Sequence, residues 1–282
     1  MPDESSPLLE LKDVNLRFGE VWALHNISLT LYPGETRIIF GAAGSGKTSL
    51  LKAVIGLIRV DGGEIKLFGE DVMSLKEHEL FPLRSRTGIL FQEGGLFDSL
   101  SIGENVEYPL VNRQVRDGAG EQPEDIERRV REALSFVELG QTYDKFPSEL
   151  SGGMRRRVGI ARAIVTEPPL VLYDSPTAGL DPITANTIMA VIAKERDMQN
   201  TASLIVTHRY QDGDLMANFR YDPDHQELIR VTGEEEQDEK GANRARTKFI
   251  VMRDGQIVFF GTRDELESSS DPYVRRFIRH EG

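Results

Sequence analysis

The sequence contains no cysteine among its 282 residues. That absence excludes a disulfide framework, a thiolate metal site and a cysteine nucleophile. The sequence also lacks any apolar run close to the ~20 residues that a membrane-spanning helix needs. Its longest apolar runs, such as residues 170–173 and 257–260, are only as long as strands. Any role at a membrane is therefore expected to depend on a partner protein.

Positive charge is the scarcer sign, with 34 Lys and Arg residues against 46 Asp and Glu residues and a formal net charge of −12. This balance excludes a protein that coats nucleic acid or an anionic membrane through bulk charge, so we expect no nucleic-acid partner. The first six residues are polar and acidic, whereas a secretory signal begins with positive charge and an apolar segment. We expect a cytoplasmic protein that does not insert into the membrane itself.

Strand-like and helix-like patterns alternate along the chain. Residues 8–40 have the patterns of strands, and a helix is predicted at 47–58 with Leu57 on its apolar face. Further helices are predicted at 124–139 and 153–164, and buried strands at 170–173 and 203–206. This alternation predicts an α/β fold with a mainly parallel sheet.

Residues 222–247 differ from the rest of the chain because they are polar and include the acidic run 234–239. We interpret them as an inserted loop or hairpin with a disordered acidic tip. Residues 249–260 then predict a hairpin, with Asp254-Gly255 as its type I′ turn.

One segment matches the phosphate-binding pattern G-x-x-x-x-G-K-[ST], and it reads Gly41-Ala42-Ala43-Gly44-Ser45-Gly46-Lys47-Thr48. The glycines allow consecutive backbone N–H groups to face phosphate oxygens, and the following helix adds its positive N-terminal end. In this pattern the lysine reaches the β- and γ-phosphates and the threonine hydroxyl binds Mg²⁺. Because the segment lies between a predicted strand and a predicted helix, we expect it to bind ATP with Mg²⁺.

Two further segments are candidate sites. The strand at 170–173 ends in Asp174, at the edge of the sheet where α/β proteins bind ligands, and Asp174 is predicted to hold Mg²⁺ directly or through water. Ser151, Gly152 and Gly153 at a predicted helix start form a second anion site. Arginines 155–157 are expected to lie on a solvated helix face with salt bridges.

Together these segments resemble the ATP-binding subunit of the ABC superfamily. Residues 41–48 are similar to its Walker A motif, residues 150–154 to its signature, and Asp174 to its Walker B carboxylate. Four single residues complete the resemblance: Gln92 of the Q-loop, Asp181 of the D-loop, the switch histidine His208, and Phe18, placed where the family stacks an aromatic on adenine. All of them follow the family's order.

The resemblance implies an α/β P-loop NTPase core of the RecA-like kind. An antiparallel β subdomain is expected from residues near 8–36 and 62–91, and an α-helical subdomain at about 93–162. The ATP-binding domain would span 8–265, with the acidic insert at about 222–247 inside it and a C-terminal helical tail at 266–282.

The resemblance also implies partners. Each ATP would lie between the phosphate loop of one subunit and Ser151–Gly153 of a second, identical or different subunit. Gln92 would join Thr48 and Asp174 as a Mg²⁺ ligand, and Gln92, Asp181 and His208 would serve hydrolysis. A groove near Gln92 and residues 94–104 would receive a cytoplasmic helix of a membrane permease, which would place the protein peripherally on the inner face of the cell membrane.

A finer resemblance is to the ATPases of Mla/Mce-type phospholipid transporters. It is carried by residues 91–110, by residues 150–162 with methionine at 154, and by the C-terminal segment 271–277. Polar amino-acid importers share much of the same pattern. A soluble ABC-type ATPase not linked to transport is the alternative from a different class, although such proteins usually carry tandem domains or dedicated insertions.

Ser175 departs from the family, which places a glutamate directly after the Walker B aspartate to polarise the attacking water. A serine hydroxyl is a poor general base, and the loss of general-base catalysis typically costs ~10²–10⁴-fold in rate. Phosphoryl transfer depends mainly on positioning and electrostatics, so some hydrolysis is expected to survive. Three interpretations stay open: slow but real hydrolysis, a regulatory half-site in a heterodimer, or an engineered trap.

Overall fold

A computed structural model describes residues 6–91, 94–117, 122–231 and 246–278, without the side chains of 113–117. The strands are β1 (Leu9–Phe18), β2 (Val21–Leu31), β3 (Thr36–Gly41), β4 (Gly62–Leu67), β5 (Glu70–Asp71), β6 (Thr87–Leu90), β7 (Leu170–Asp174), β8 (Ala202–Val206), β9 (Phe219–Asp222), β10 (Glu227–Arg230), β11 (Thr247–Arg253) and β12 (Gln256–Gly261).

The helices are α1 (Lys47–Val54), α2 (Phe81–Ser85), α3 (Ile102–Asp117), α4 (Pro123–Phe136), α5 (Gly152–Ile164), α6 (Pro182–Gln199), α7 (Tyr210–Asn218) and α8 (Arg263–Glu267). The first helix is shorter than predicted. It ends at Val54 because Gly56 turns the chain with φ +68°, and this leaves Leu57 48% exposed rather than on the apolar face. The prediction for Leu57 was therefore wrong.

The central sheet has six strands in the order β12-β11-β3-β8-β7-β6. All pairs are parallel except β11–β12, whose turn holds Asp254 and Gly255 at φ +49° and +78°, as a type I′ turn requires. Strands β3, β7 and β8 are buried at every residue, because both faces of the parallel sheet are covered by other elements. The predicted mainly parallel α/β sheet and the predicted hairpin are confirmed.

A second, antiparallel sheet has the order β2-β1-β4-β5. Its apolar residues pack on α1 and on one face of the central sheet in a shared core that includes Leu24, Ile65 and Leu50. Residues 87–90 do not belong to this sheet, contrary to the expectation from the sequence. They form β6, which pairs in parallel with β7 at the edge of the central sheet.

Helices α3, α4 and α5 pack together on the other face, over the region predicted to be helical. On α4 the apolar residues Ile126, Val130, Ala133 and Leu134 are buried, as their spacing predicts. Pro123 begins this helix, where a missing N–H costs nothing.

At the start of the proposed insert, β10 pairs with β9, which lies almost entirely before residue 222, and β9 contacts α6. The predicted disordered acidic tip lies outside the described residues. In the proposed C-terminal tail the structure has the end of α8, which begins at Arg263, and a 3₁₀ turn at Val274–Phe277. The domain boundaries stay predictions. No helix in the described part of the chain is long and apolar enough to cross a membrane.

Candidate functional site

The phosphate loop connects β3 to α1 at the carboxyl edge of the central sheet. Gly44 and Gly46 have φ values of +78° and +101°, which residues with a side chain rarely adopt. A Cβ atom at Gly46 would lie 2.1 Å from the carbonyl oxygen of Ala23, whereas one at Gly44 would have no atom within 4 Å. Gly46 is thus required both by its backbone angle and by the close approach of β2.

Lys47 folds back over its own loop. Its Nζ donates to the carbonyl oxygens of Gly41 and Ala42, both at 2.8 Å, and to Ser45 Oγ at 3.2 Å. Partial burial lowers the pKa of Lys47 below its ordinary value, and the nearby Asp174 carboxylate opposes this shift. The ammonium group is therefore held at the mouth of the loop by neutral carbonyls, which a phosphate group can replace.

Thr48 and Asp174 meet although they are far apart in sequence. Thr48 Oγ1 donates to Asp174 Oδ2 at 2.9 Å, and Asp174 is only 7% exposed. Mg²⁺ prefers oxygen ligands and keeps several waters and phosphate oxygens, so it needs only one or two protein groups. This hydroxyl and this carboxylate fit that requirement, which supports the prediction that they hold Mg²⁺.

The Ser175 turn, residues 175–178, follows directly on Asp174. Ser175 has φ +53°, its N–H donates to the carbonyl of Val206 at 2.9 Å, and its hydroxyl donates to Asp174 Oδ1 at 3.1 Å. Its hydroxyl is therefore engaged with the candidate metal ligand itself. As a neutral group with a pKa far above 7, it cannot take the proton of an attacking water as a carboxylate would.

His208 lies beside these groups because of the strand order. Strand β8 stands between β3 and β7, so the loop that follows it comes out between the phosphate loop and Asp174. The side chain of His208 is exposed, while Thr207 before it is buried. The structure thus leaves the imidazole accessible at the edge where the γ-phosphate is expected.

Phe18 lies at the end of β1 and is 55% exposed. It pairs with Val21 across the hairpin turn that joins β1 to β2. An exposed ring next to the strand that contacts Gly46 is compatible with stacking on adenine, and core packing, the simpler explanation for a phenylalanine on a strand, does not apply.

The predicted second anion site is separate from the phosphate loop. Ser151 caps α5, its Oγ accepting the N–H of Met154 at 3.3 Å, and both Ser151 and Gly152 are exposed. Gly153 is buried, and a Cβ there would lie 2.5 Å from Thr184 Cγ2 at the start of α6. The exposed N-terminus of α5 can therefore serve an anion brought by another molecule.

Asp181 caps α6. Its Oδ1 accepts the N–H groups of Ile183 and Thr184 at 3.0 Å, and its Oδ2 accepts the Thr184 hydroxyl at 2.6 Å. The Thr184 bonds in particular lower the pKa of Asp181. Gln92 lies outside the described residues. The catalytic and binding roles assigned to all these residues stay predictions.

Arg156 was misjudged from the sequence. Arginines 155–157 were expected on a solvated face, yet none is fully exposed and Arg156 is only 7% exposed. Its guanidinium donates to the carbonyls of Ser175 at 2.7 Å and Ala178 at 3.2 Å. Helix α5 thereby braces the Ser175 turn. The only sign of this contact in the sequence is the cluster of three arginines. A cluster alone does not show whether an arginine supports a neighbouring turn or faces solvent.

The C-terminal segment also reaches the phosphate loop. The Tyr273 hydroxyl accepts the N–H of Ala42 at 3.3 Å and donates to the carbonyl of Met252 at 3.0 Å. Phe277 stacks on Phe40 of β3 with a centroid distance of 6.2 Å. The sequence analysis singled out this segment only as a resemblance, so its contact with the loop is an addition.

A groove of about 840 Å³ lies between β6 and the helices α2, α3 and α5. Three of its aromatic side chains, Phe91, Phe97 and Tyr108, are between 41% and 45% exposed. Arg162 of α5 also lines it and donates to the carbonyls of Gly94 and Gly95 at 2.9 and 2.8 Å. The groove therefore adjoins the segment that leads from the predicted Q-loop, as the resemblance implies.

Comparison with known proteins agrees with this geometry. The family model described as "ABC transporter" matches residues 24–178, which is more than half of the chain. The chain belongs to the ABC transporter family. The match includes the phosphate loop, the N-terminus of α5, Asp174 and the Ser175 turn.

Two curated relatives of this cassette are named for transport. The "Probable ribonucleotide transport ATP-binding protein mkl" of Mycobacterium tuberculosis is 32% identical over 270 residues, which are 96% of this chain and 66% of mkl. The "Methionine import ATP-binding protein MetN" of Brucella abortus is 37% identical over 207 residues, 73% of this chain and 54% of MetN. The chain thus spans less than two thirds of the length of either relative.

A solved structure shares the fold. The dimeric post-hydrolysis state of the ATP-binding cassette MJ0796, bound to ADP and Pi, matches with a TM-score of 0.72 at 28% identity. The match covers 90% of this chain and 98% of MJ0796. The predicted P-loop NTPase fold class is therefore confirmed.

Proposed function

We propose that this chain is the ATP-binding and ATP-hydrolysing subunit of a transporter whose membrane permease is a separate protein. The observation that carries the proposal is the meeting of Thr48 and Asp174, at 2.9 Å, beside a phosphate loop that belongs to the ABC family. Backbone N–H groups of the loop and the ammonium group of Lys47 bind the phosphates. When bound, Mg²⁺ neutralises charge on the β- and γ-phosphate oxygens, and Thr48 and Asp174 are the residues that hold it.

Hydrolysis is proposed to be slow. The side chain at 175 is neutral, so the attacking water is oriented only by hydrogen-bonding groups such as His208 and is not deprotonated by a neighbouring carboxylate. Positioning and charge neutralisation remain, and these carry most of the catalysis in phosphoryl transfer. Slow turnover in the chain itself is the leading interpretation, and a regulatory subunit that binds ATP without hydrolysing it is the second candidate, which Ser175 also supports.

The test is the steady-state ATPase rate of the wild type against Ser175→Glu and Lys47→Ala. We expect Ser175→Glu to raise turnover by ~10²-fold, because it supplies a general base. This gain is at the lower end of what a general base supplies, since the positive φ at position 175 strains the glutamate backbone. Lys47→Ala should abolish ATP binding. Ser268→Glu, an exposed position at the end of α8, is the matched control and should change nothing.

Two results would decide against slow hydrolysis. Brisk turnover in the wild type with no gain in Ser175→Glu would contradict the weakened site. Tight ATP binding with no turnover in either protein would favour the regulatory subunit instead.

A second ATPase subunit is part of the proposal. The exposed Ser151 and Gly152 at the N-terminus of α5 support it, because they present an anion site that the chain's own phosphate loop does not use. The relative MJ0796 is itself dimeric in its described state. Sedimentation with and without ATP should show a dimer only with ATP, and a monomer at all ATP concentrations would contradict this part.

The permease is proposed to dock in the groove beside β6, where it would hold the chain at the inner face of the membrane. Exposed aromatic side chains in a concave surface support this, since such groups are enriched in binding sites. Phe97→Ala and Tyr108→Ala should prevent co-purification with a polytopic membrane protein and leave ATP binding intact. Phe260→Ala is the matched control, because Phe260 is 53% exposed on β12, at the opposite edge of the sheet.

Failure to recover any polytopic protein with the wild type from solubilised membranes would favour a soluble ABC-type ATPase.

For the cargo we propose a lipid, on the strength of the three segments that resemble Mla/Mce ATPases. The relatives are named for ribonucleotide and methionine transport, so the assay should compare all three cargoes. Vesicles holding the purified permease complex should exchange labelled phospholipid in an ATP-dependent manner. Uptake of nucleotide or methionine instead would overturn the lipid cargo.

A further inference from the structure

Asp212 is a fully buried carboxylate that no step of the proposed function uses. It lies in the first turn of α7 and is 0% exposed. Its Oδ2 accepts two hydroxyl groups, Thr177 Oγ1 at 2.5 Å and Thr207 Oγ1 at 2.6 Å. Its Oδ1 lies 3.3 Å from the guanidinium Nη1 of Arg209. Burial raises the pKa of Asp212, and the two hydroxyl bonds oppose that shift.

The two hydroxyls come from different loops at the nucleotide edge. Thr177 belongs to the Ser175 turn, two residues after Ser175 itself. Thr207 immediately precedes His208, and its Oγ1 also accepts the N–H of Arg209 at 3.1 Å. The residues on both sides of His208 are therefore fixed through one carboxylate to the turn that carries Ser175.

The backbone joins the same two segments a second time. The N–H of Ser175 donates to the carbonyl of Val206 at 2.9 Å, and the N–H of Thr207 donates to that of Ile39 on β3. Because buried carboxylates are costly, a fold that needed only to fill this space would favour an apolar side chain. Here a buried carboxyl group instead holds two loops in one relative position.

We propose that Asp212 is a positioning residue that makes the His208 loop and the Ser175 turn move as one unit. This role of Asp212 rests on the proposed function, because it assumes that His208 faces the γ-phosphate. A contact at His208 is then transmitted through Thr207, Asp212 and Thr177 to the Ser175 turn. Since ADP has no γ-phosphate, this connection through Asp212 affects binding of the triphosphate and leaves binding of the diphosphate unchanged.

The test is nucleotide affinity in the full-length chain with Mg²⁺, measured by calorimetry with ADP and with the non-hydrolysable analogue AMP-PNP. Thr177→Val removes one hydroxyl at nearly constant volume and should weaken AMP-PNP binding about fivefold, the lower end of typical couplings between sites, with ADP binding unchanged. Thr207→Val should do the same. The double variant should be no worse than either single one, because the two hydroxyls act through one carboxylate. Thr177→Ser, which keeps the hydroxyl, should restore the wild-type ratio.

Thr247→Val is the matched control. Thr247 is 1% exposed, and like Thr177 its hydroxyl makes a buried hydrogen bond, in this case to the carbonyl of Met216. Thr247 starts β11, at the end of the sheet opposite to the phosphate loop. If Thr177→Val left the ratio of the two affinities unchanged, whether both fell by the same factor or neither changed, Asp212 would have only a structural role and the proposal would be overturned. A wild type that binds neither nucleotide would overturn the proposed function itself.

Discussion

The phosphate loop and the Ser175 turn lie at the same edge of the same sheet, but they are held in different ways. In the phosphate loop the glycines take left-handed angles, and Lys47 donates to carbonyls of its own loop. The Ser175 turn is held from outside, by the guanidinium of Arg156, by the carbonyl of Val206 and by Asp212 through Thr177. One loop carries much of its shape in its own residues, whereas the other takes its shape from three neighbouring elements.

The difference separates binding of the diphosphate from the response to the γ-phosphate. A loop shaped largely by its own glycines presents N–H groups to phosphate without support from α5, α6 or α7. A turn held by α5, β8 and the His208 loop changes when any of them moves. Binding of the diphosphate is therefore expected to tolerate changes elsewhere in the chain, while recognition of the γ-phosphate and hydrolysis at position 175 depend on how the neighbouring elements are placed.

The largest effect is expected from Gly46→Ala, which tests whether the phosphate loop depends on its glycines. The new Cβ would lie 2.1 Å from the carbonyl oxygen of Ala23 at a φ of +101°. Backbone strain and overpacking together should lower the free energy of unfolding by about 4 kcal/mol. Urea denaturation without nucleotide measures this.

Gly44→Ala separates strain from contact. Gly44 also has a positive φ but has open space around the new Cβ, so a loss of only about 1 kcal/mol is expected. Equal losses in the two variants would mean that the contact with β2 does not shape the loop.

Arg156→Met tests the external support of the Ser175 turn. It removes both guanidinium bonds to the carbonyls of Ser175 and Ala178, and hydrogen bonds from charged donors contribute enough that a loss of about 3 kcal/mol is expected. The loss would appear in the urea midpoint of the nucleotide-free chain.

Arg157→Met is the neighbouring control. Its guanidinium donates to the carbonyl of Val137 and pairs with Glu138, whose side chain is 76% exposed, so about 1 kcal/mol is expected. If the two arginines proved equivalent, the Ser175 turn would not depend on α5.

The smallest effect apart from the two control variants concerns Glu195 of α6, whose charge interacts with Tyr173 of the strand that ends at the Ser175 turn. Burial raises the pKa of Glu195 to about 7. Because this pKa lies above that of the unfolded chain, the folded state retains a proton that the unfolded state loses as the pH rises. The contribution of Glu195 to stability should therefore fall between about pH 4.5 and 7 and level off above that.

Glu195→Gln keeps the shape of the protonated acid and removes its titration. The variant should match the wild type at pH 5 and exceed it at pH 8 by an amount on the order of 2 kcal/mol. Glu132→Gln, at an exposed position of α4, keeps Glu195 and should therefore keep the pH dependence of the wild type. A stability difference between wild type and Glu195→Gln that stays constant over this range would contradict a raised pKa of Glu195 in the folded state.

The sequence predicted the parts of the molecule that follow local rules. The phosphate loop, the type I′ turn at Asp254-Gly255 and the buried face of α4 each depend on residues close together in the chain, so pattern and spacing were enough. Thr48 and Asp174 were correctly expected to meet, because strands that end at one sheet edge bring their last residues together.

The remaining features depend on tertiary packing. Three arginines in a row look alike in sequence, but only the position of α5 over the Ser175 turn buries Arg156. Residues 87–90 were assigned to the wrong sheet because a short apolar strand carries no record of its partner. Asp212 gave no signal, since a carboxylate in a first helical turn is usually exposed and stabilises the helix end.

The hairpin of β9 and β10 has a practical consequence. The chain leaves it at Val231, whose N–H donates to the carbonyl of Asn218, and returns at Thr247, whose hydroxyl donates to that of Met216. Both points therefore lie beside the end of α7. Thr247 pairs with Thr36 at the start of β3, the end of that strand opposite to the phosphate loop. A fluorophore attached at Arg246, the exposed residue just before Thr247, would therefore report on the chain from the side that nucleotide does not approach.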